Sequence, residues 1–410
     1  MRALQPGATF DPNQLLAPDD AVATYLAAVG PHPLGIQTVA LTEAFGRILA
    51  ADAVADVAYP ADDRSTMDGF AVRSADGTSR RRIVGAVLMG QPPPRPVGPS
   101  EAMRIPTGGV LPPGADAVVP VEDVEELPEA IELREPPAAG AFITPRGEDM
   151  AAGDLVLPAG RRIGAPELSV LATLGLTAVP VYRRPRVAIV ATGDELVDPG
   201  LRPGPGQIRD SNRWALAGGL LAIGCEVVQI PRATDEVEAI RAQIAAGLEQ
   251  ADAVVLTGGS SVGARDHVPA AIAGLGPPGV VVHGLKVKPG KPTVLAAIGE
   301  RPVIGLPGNP TSALTIFDAI ATPILRALTG ETEPRRAAMD VRAGVAFAGR
   351  EGWTWYVPAL LDGGKARPLA LHSSHTSLLA RADGYVVVGP VRTRIEPGDA
   401  VTVVRYGGLR

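Results

Sequence analysis

TGGSSVGARD (257–266), KVKPGKP (286–292) and GLPGNPTSA (305–313) each sit against a short apolar run. The first follows Asp252-Ala253-Val254-Val255-Leu256, the second Val280-Val281-Val282, the third Pro302-Val303-Ile304. Loops that follow strands in an alternating strand/helix segment gather at one edge of a parallel sheet, where α/β proteins bind ligands. Gly258, Gly259 and Gly263 let backbone N–H groups approach an anion, and Ser260 and Ser261 add hydroxyl donors. Lys286, Lys288 and Lys291 bring positive charge to the same region. Asn309 stands where it can cap a helix starting at Pro310, which leaves free N–H groups at the positive helix end. The three motifs together predict a site for a phosphate or another oxyanion. A glycine-rich turn alone would predict only a turn.

The surrounding chain supports an α/β reading of 186–330. Val187–Ala191 reads as a buried strand. Asp210 or Ser211 opens a helix with Leu216, Leu220 and Ile223 on one face, closed by Gly224. Cys225–Ile230 is the next strand, and Val237, Ile240, Ile244 and Leu248 mark the following helix. Asp266 stands before a helix reaching Ala273. The last helix, 310–328, carries Pro323 and is expected to kink or break there. Right-handed crossovers then imply a layered α/β/α sandwich. Upstream, Ala21–Val29 and Thr42–Leu49 read as helices, the first capped by Asp19 or Asp20. Residues 51–144 alternate short apolar runs with Pro and Gly clusters, which predicts a small β-rich domain. Its acidic stretch from Glu122 to Glu135 reads as a solvated face. Pro166 starts a helix over Glu167–Leu174, and Val179–Tyr182 is a short strand. Residues 331–410 return to strands and turns.

The totals bound the function. The chain has 410 residues, 46% hydrophobic and 20% charged, with a net charge of −6. That length calls for several domains. The acidic balance argues against general nucleic-acid affinity, so an anion site must be built locally. One cysteine, Cys225, excludes an internal disulfide and a cysteine-based zinc site. No apolar run reaches the ~18 residues of a membrane span, and residues 1–14 lack the apolar core of a signal peptide. The expected location is the cytoplasm. Five scattered histidines show no metalloenzyme spacing.

Several acidic residues admit two readings. Asp235 and Asp266 read first as helix caps. At the edge of an anion site, Asp266 is also placed to hold Mg²⁺. In Thr192-Gly193-Asp194-Glu195-Leu196, one carboxylate is structural and the other is a candidate metal ligand or general base. Asp62, Asp63 and Asp68 lie in a polar run that composition identifies only as a loop.

Eight motifs carry a family resemblance: PADDRSTMDGFAVR (60–73), RIPTGGVLPPGADAVV (104–119), RGEDM (146–150), ATGDEL (191–196), QIRDSN (207–212), GGSSVGARD (258–266), KPGKP (288–292) and LPGNPTSA (306–313). In this order they resemble the MoeA-type molybdopterin molybdenumtransferases, relatives of the E domain of gephyrin, over residues 10–405. The resemblance implies a multidomain α/β plus β fold. A split, mixed N-terminal domain I would cover 1–50 and 145–183, and a β-rich domain II would cover 51–144. Domain III, 184–330, would be a MogA-like three-layer α/β/α domain with a parallel-rich sheet that binds molybdopterin. Domain IV, 331–410, would be a C-terminal β-barrel. It also implies a homodimer whose site is shared between subunits.

The implied reaction is molybdate insertion into adenylylated molybdopterin, with release of AMP and help from Mg²⁺. On the resemblance, Lys288 and Lys291 with Ser312 and Ser374 attract molybdate. Asp63, Asp149 and Glu195 match essential acidic positions, and Asp266 and Asp235 are Mg²⁺ or nucleotide ligands. Thr107 and the 258–263 loop help hold the pterin phosphate, while Lys286, Pro307 and Asn309 complete the binding set. An adenylyltransferase partner and molybdoenzyme recipients follow from the same resemblance.

The chain also departs from the pattern. Thr144 stands where an arginine is frequent three residues before the Gly-Glu-Asp. Gly352–Pro358 holds none of the arginines of a Gly-Arg-x-x-Phe-x-Arg pattern. Arg64 and Arg265 stand where asparagine and glutamate are frequent. These departures keep two other readings open: a molybdopterin-binding protein without turnover, and an enzyme for a similar oxyanion such as tungstate.

Overall fold

The structure is a computed structural model and describes residues 15–258, 267–333, 337–369 and 374–406. The chain forms two compact units. One takes the described residues up to Ala50, then Gly160–Gly164, then those from Ala178 onward. The other takes Ala51–Ala159 and Ala165–Thr177.

The first unit is built on a six-stranded sheet. Its strands are β1 (Arg186–Ala191), β2 (Glu226–Gln229), β3 (Ala253–Thr257), β4 (Pro278–His283), β5 (Val294–Ile298) and β6 (Arg301–Leu306). Their spatial order is β2-β1-β3-β6-β5-β4. The first four run parallel, while β5 is antiparallel to both β6 and β4. Two antiparallel steps restore direction, so β4 points the same way as β3 and β6. The loops after β3, β4 and β6 therefore leave at one edge, as the motif reading requires.

Alternate residues face opposite sides of a strand, and both sides here are covered. Val187, Ile189, Val255 and Ile304 pack with Leu216 and Leu220 of helix α1 (Asn212–Ala222) and with Tyr25. Ala188, Val190, Val254 and Val303 pack with Ile240 and Ile244 of α2 (Val237–Gln250) and Ile272 of α3 (His267–Ala273). The result is the three-layer α/β/α arrangement, and burial on both faces explains the unbroken apolar runs. Helix Pro18–Val29 joins the first face, where Tyr25 donates its hydroxyl to the Ala296 carbonyl at 3.1 Å.

Some local expectations fail. Thr42–Leu49 is not a helix. A short 3₁₀ turn, Leu41–Glu43, gives way to bridges from Ile48 to Arg162 and from Leu49 to Val181. Gly46 adopts φ 74°, and its N–H bonds the Ile163 carbonyl at 2.8 Å. Long-range pairing overrides local propensity here. Helix Pro18–Val29 has Ala17 at its N-cap, so Asp19 and Asp20 lie in its first turn instead of capping it. The last helix runs as α4 (Pro310–Ile316), a π-helical stretch Phe317–Ala321, and Thr322–Ala327. Pro323 has no N–H to return to Ala319, and the helix widens ahead of it instead of breaking.

The same unit ends in a small barrel. Its strands are β7 (Ala338–Ala343), β8 (Thr354–Asp362), β9 (Lys365–Pro368), β10 (Gly384–Val388) and β11 (Ala400–Val404). The ring closes through β8-β9-β7-β11-β10 and back to β8. Phe347, Val357, Ala359, Val386 and Val403 fill it.

The second unit holds a six-stranded sheet in the order Ala117–Pro120, Gly69–Val72, Glu101–Ile105, Arg80–Ala86, Ala130–Leu133, Val124–Glu126. Phe70 and Val72 face one apolar cluster, and Ala71 and Met103 face another. The acidic stretch forms its edge hairpin, with Glu125 and Glu126 exposed as expected.

Candidate active site

The edge of the α/β sheet is tied together by one side chain. Asn212, at the start of α1, donates Nδ2 to Thr257 Oγ1 at 2.8 Å and to the Gly308 carbonyl at 2.7 Å. Thr257 Oγ1 also reaches the Pro307 carbonyl at 3.4 Å. The ends of β3 and β6 are thus locked to one helix start. Gly258 sits at φ 94°, where a Cβ would overlap the Thr192 carbonyl oxygen. Only glycine lets the chain pass so close. Gly259, Ser260, Ser261, Gly263 and Asp266 lie outside the described residues.

The turn after β1 presents Glu195, which is exposed. Arg232 fastens this turn by donating Nη1 to the carbonyls of Gly193 at 2.7 Å and Leu196 at 2.6 Å. Asp194 Oδ1 accepts the Asp235 N–H at 3.3 Å. Asp235 is not the cap of α2: Glu236 holds that position, and Asp235 Oδ1 is buried without a hydrogen-bond partner among the described residues.

The lysine segment lies farther along the same edge. From β3 to β4 is three strand spacings, roughly 14 Å at ~4.8 Å each. Lys286 N–H bonds the Leu16 carbonyl at 2.8 Å, and the two-residue strand Val287–Lys288 pairs with Thr354–Trp355 of the barrel. Gly290, at φ 111°, passes so close to α4 that a Cβ would overlap Ile316. Thr293 Oγ1 donates to the Gly290 carbonyl at 2.6 Å and fixes that turn. Asn309 holds the N-cap position of α4 with Pro310 following, and its side chain makes no cap bond. Pro307 and Ser312 are buried. Thr311 Oγ1 donates to the His375 carbonyl at 3.2 Å, which brings the exposed Ser374 loop to the start of α4.

Asp63, Thr107 and Asp149 belong to the second unit. Their three motifs converge there. Arg146 N–H bonds Asp63 Oδ1 at 2.7 Å, and Asp149 N–H bonds the Tyr59 carbonyl at 3.2 Å. Arg64 donates Nη1 to the Gly108 carbonyl at 2.7 Å, so this arginine holds the Pro-Thr-Gly-Gly turn. Thr107 gives both its N–H and its hydroxyl to Asp68 Oδ1, at 2.6 and 3.0 Å. Those two bonds hold the Asp68 carboxyl below the usual range. Asp62, Asp63, Arg64, Gly108 and Arg146 line a cavity of about 630 Å³.

Among the described residues no three His, Cys, Asp or Glu side chains form a metal cluster. Mg²⁺ asks for less, since it keeps several waters and takes one or two carboxylates plus substrate phosphates. The orphaned Asp235 oxygen is a donor of that kind.

Sequence reasoning missed Asn212 and Asp68 as organisers of their loops. It also missed Arg350, whose guanidinium lies 5.6 Å from the Trp353 ring centre. The signal was present: Gly349-Arg350-Glu351-Gly352-Trp353 has the Gly-Arg-x-x-aromatic spacing when read from Gly349 instead of Gly352.

Comparison with known proteins bears on this arrangement. The chain matches the MoeA N-terminal region (domain I and II) over 16–175, a probable molybdopterin binding domain over 188–327, and the MoeA C-terminal region (domain IV) over 340–406. It is 34% identical to molybdopterin molybdenumtransferase 2 of Mycobacterium tuberculosis, across 85% of this chain and 90% of that protein. With the molybdopterin molybdenumtransferase of Haemophilus influenzae it shares 30% identity, across 92% and 96%. A crystal structure of the molybdopterin biosynthesis MoeA protein from Pyrococcus horikoshii superposes with a TM-score of 0.76 at 32% identity, covering 95% of this chain and 99% of that one.

Proposed function

The chain belongs to the MoeA family of molybdopterin molybdenumtransferases, and from that premise we propose that it acts in molybdenum cofactor biosynthesis. It takes adenylylated molybdopterin and molybdate, releases AMP, and delivers molybdenum to the pterin dithiolene. The observation that carries this reading is the sheet edge, where two candidate anion stations follow β3 and β4, strands three spacings apart in the sheet. One is the Gly258 turn beside Thr257 and Asn309. The other is the lysine segment beside α4. An extended substrate with a phosphate and a second oxyanion fits two stations, whereas a single phosphate needs one.

The roles follow from placement. The Gly258 turn binds the pterin phosphate through backbone N–H groups, and Thr107, whose N–H and hydroxyl are taken by Asp68, contributes through the turn it anchors. Lys286, Lys288 and Lys291, with Ser312 and Ser374, draw in molybdate. A water oxygen bonds phosphorus as the bridging P–O bond breaks and AMP leaves, and one molybdate oxygen departs as water with the two thiol protons when the dithiolene sulfurs bond molybdenum; Asp63, Asp149 and Glu195 position the reacting groups. Asp235 with Asp266 would hold Mg²⁺, which supplies charge neutralisation on the phosphates. In this reading the chain has four domains, with the boundaries given by the sequence, and works as a homodimer that shares the site between subunits. An adenylyltransferase supplies the substrate and molybdoenzymes receive the product.

Cys225 is buried, and burial pushes its thiol up to about 12, so it supplies no nucleophile. Among the described residues no helix is long and apolar enough to cross a membrane. The proposed compartment is the cytoplasm.

The test is AMP release from adenylylated molybdopterin, with molybdate and Mg²⁺ present or omitted. Release that depends on both is expected, at a rate at least tenfold above an Asp266→Ala control. Equal release from protein and control would overturn the reading. Mixing Asp63→Ala with Lys288→Met protein should restore part of the activity if the site is shared, and no recovery would refute the sharing.

A further inference from the structure

The barrel strand β8 opens Thr354-Trp355-Tyr356, and Trp353 stands just before it. Side chains alternate along a strand. Tyr356 faces the sheet core, and Trp355 faces the other way, half-buried against the barrel core of Val357 and Ala359. The short strand Val287–Lys288 runs parallel to it, with Lys288 opposite Trp355 and Val287 opposite Thr354. Thr354 N–H bonds the Lys286 carbonyl at 2.9 Å. This pairing roots the lysine and the indole on adjacent backbones. Lys288 Nζ lies 4.0 Å from the Trp355 ring centre. Lys291 Nζ lies 5.9 Å from the Trp353 ring centre, which Arg350 also approaches. Among the described residues Lys288 pairs with this indole and with no carboxylate.

We propose that Trp355, and to a smaller degree Trp353, are positioning residues that hold the ammonium groups of Lys288 and Lys291 ready for an incoming tetrahedral oxyanion. The proposal rests on the reading of these lysines as the molybdate station. A lysine on a free four-carbon stem loses rotamer freedom when it closes on an anion. A partner that orients it beforehand removes part of that cost. A carboxylate would orient it too, but would cancel the charge that attracts the anion. The ring quadrupole orients the ammonium and leaves the net charge in place. In a chain of net charge −6 that difference matters. The indoles touch neither substrate nor reacting atoms, so their effect falls on anion affinity and not on the rate at saturation.

The experiment is a double-variant cycle on the full-length protein, read as the molybdate KM and kcat of AMP release. Trp355→Leu should raise the KM about fivefold, which is ~1 kcal/mol at 1.4 kcal/mol per tenfold. At saturating molybdate the rate should approach that of the parent. Trp355→Phe keeps an aromatic face and should recover most of the affinity. In a Lys288→Met background, Trp355→Leu should have no further effect. An equal KM increase in that background would show that Trp355 acts through the fold, and would overturn the proposal. So would a Trp355→Phe variant as weak as Trp355→Leu. If Lys288→Met raises the KM and Trp355→Leu does not, the tryptophan proposal fails alone. If Lys288→Met itself changes nothing, the lysine station and the proposal fall together.

A second measurement needs no substitution in the barrel. The chain has three tryptophans. In a Trp214→Phe protein, titration with molybdate should change the indole emission of the remaining pair. A flat titration over the range that supports turnover would overturn the proposal.

Discussion

The α/β sheet edge and the loop cluster of the 51–159 unit both gather candidate residues, by different means. At the sheet edge, position comes from topology: parallel strands end together, and Asn212 only locks what the sheet has already aligned. In the other unit short antiparallel pairings, with Arg64 opposite Thr144 and Gly69 opposite Ile105, bring Asp63 and Thr107 near their partners, and polar bonds finish the placement. There, carboxylates reach out to backbone N–H groups far away in sequence: Asp63 to Arg146, and Asp68 to Thr107. The sheet edge needs one side chain to lock it, whereas the 51–159 loops take a set of carboxylate bonds to close them. Substitutions and pH should therefore act on them differently.

The largest contrast comes from two glycines. A Cβ at Gly69 would overlap the Val119 carbonyl between paired strands, although its backbone angle suits other residues. Gly69→Ala should destabilise the 51–159 unit by about 3 kcal/mol or more, through steric overlap alone. Gly258→Ala meets an overlap and a positive φ at a strand end. It should cost at least as much stability, about 3 kcal/mol or more, but in the other unit, and about a hundredfold in AMP release, because a small misplacement of site groups is expensive. Amide hydrogen exchange resolved by unit, alongside the activity assay, separates the two. Equal effects of both variants on activity and on protection would erase the contrast.

An intermediate effect is expected with acid. In the 51–159 unit, Asp68 is held below the usual range by the Thr107 N–H and hydroxyl, and Asp116 by the Ser74 N–H and hydroxyl. Glu101 is lowered by the Gly98 N–H and by Arg95 and Arg82. A carboxyl lowered in the folded state contributes stability that is complete above its unfolded value and lost as pH falls through the folded one. The window lies below about pH 4. The first unit has Glu331: burial pushes its carboxyl up, but the Arg162 hydrogen bonds and the charges of Arg162 and Arg326 outweigh it. On descent from neutral pH, exchange protection should fall first in 51–159. Earlier loss in the sheet unit would contradict the assignment.

The smallest effect is at the surface. Arg104 stacks on the buried Phe70 at 4.8 Å and pairs with Glu126, and the Arg104 and Glu126 side chains are both well exposed. Arg104→Ala should cost no more than about 1 kcal/mol in denaturant unfolding. A larger loss would mean that side-chain bonds in this unit carry more than surface values.

The same division governs what could be read from the sequence. Apolar runs and the Leu216-Leu220 and Ile240-Ile244 spacings locate the sheet and its helices, because burial on both faces imposes them. Thr42–Leu49 looks helical and is not, because its carbonyls and N–H groups bond Arg161 and Ile163 more than a hundred residues away. Asp235 reads as a cap, yet the helix starts one residue later than a cap would need. The stacking of Lys288 on Trp355 depends on the register between 287–288 and 354–355, which no local pattern encodes. Arg64 looks like a departure, but its guanidinium serves the neighbouring Gly108 turn.

Tyr25 finds its hydrogen-bond partner at Ala296, 271 positions along the chain, and Leu16 bridges to Leu285. On a ribosome adding ~5–20 residues per second, that separation lasts roughly 15 to 55 seconds. Helix Pro18–Val29 therefore spends most of synthesis with its apolar face waiting, while the sheet of 51–159 has every strand it needs. During synthesis the 51–159 sheet can therefore close before this early segment meets its partners. A nascent-chain chaperone that shields about a dozen residues over that interval would protect this helix more than any other described element.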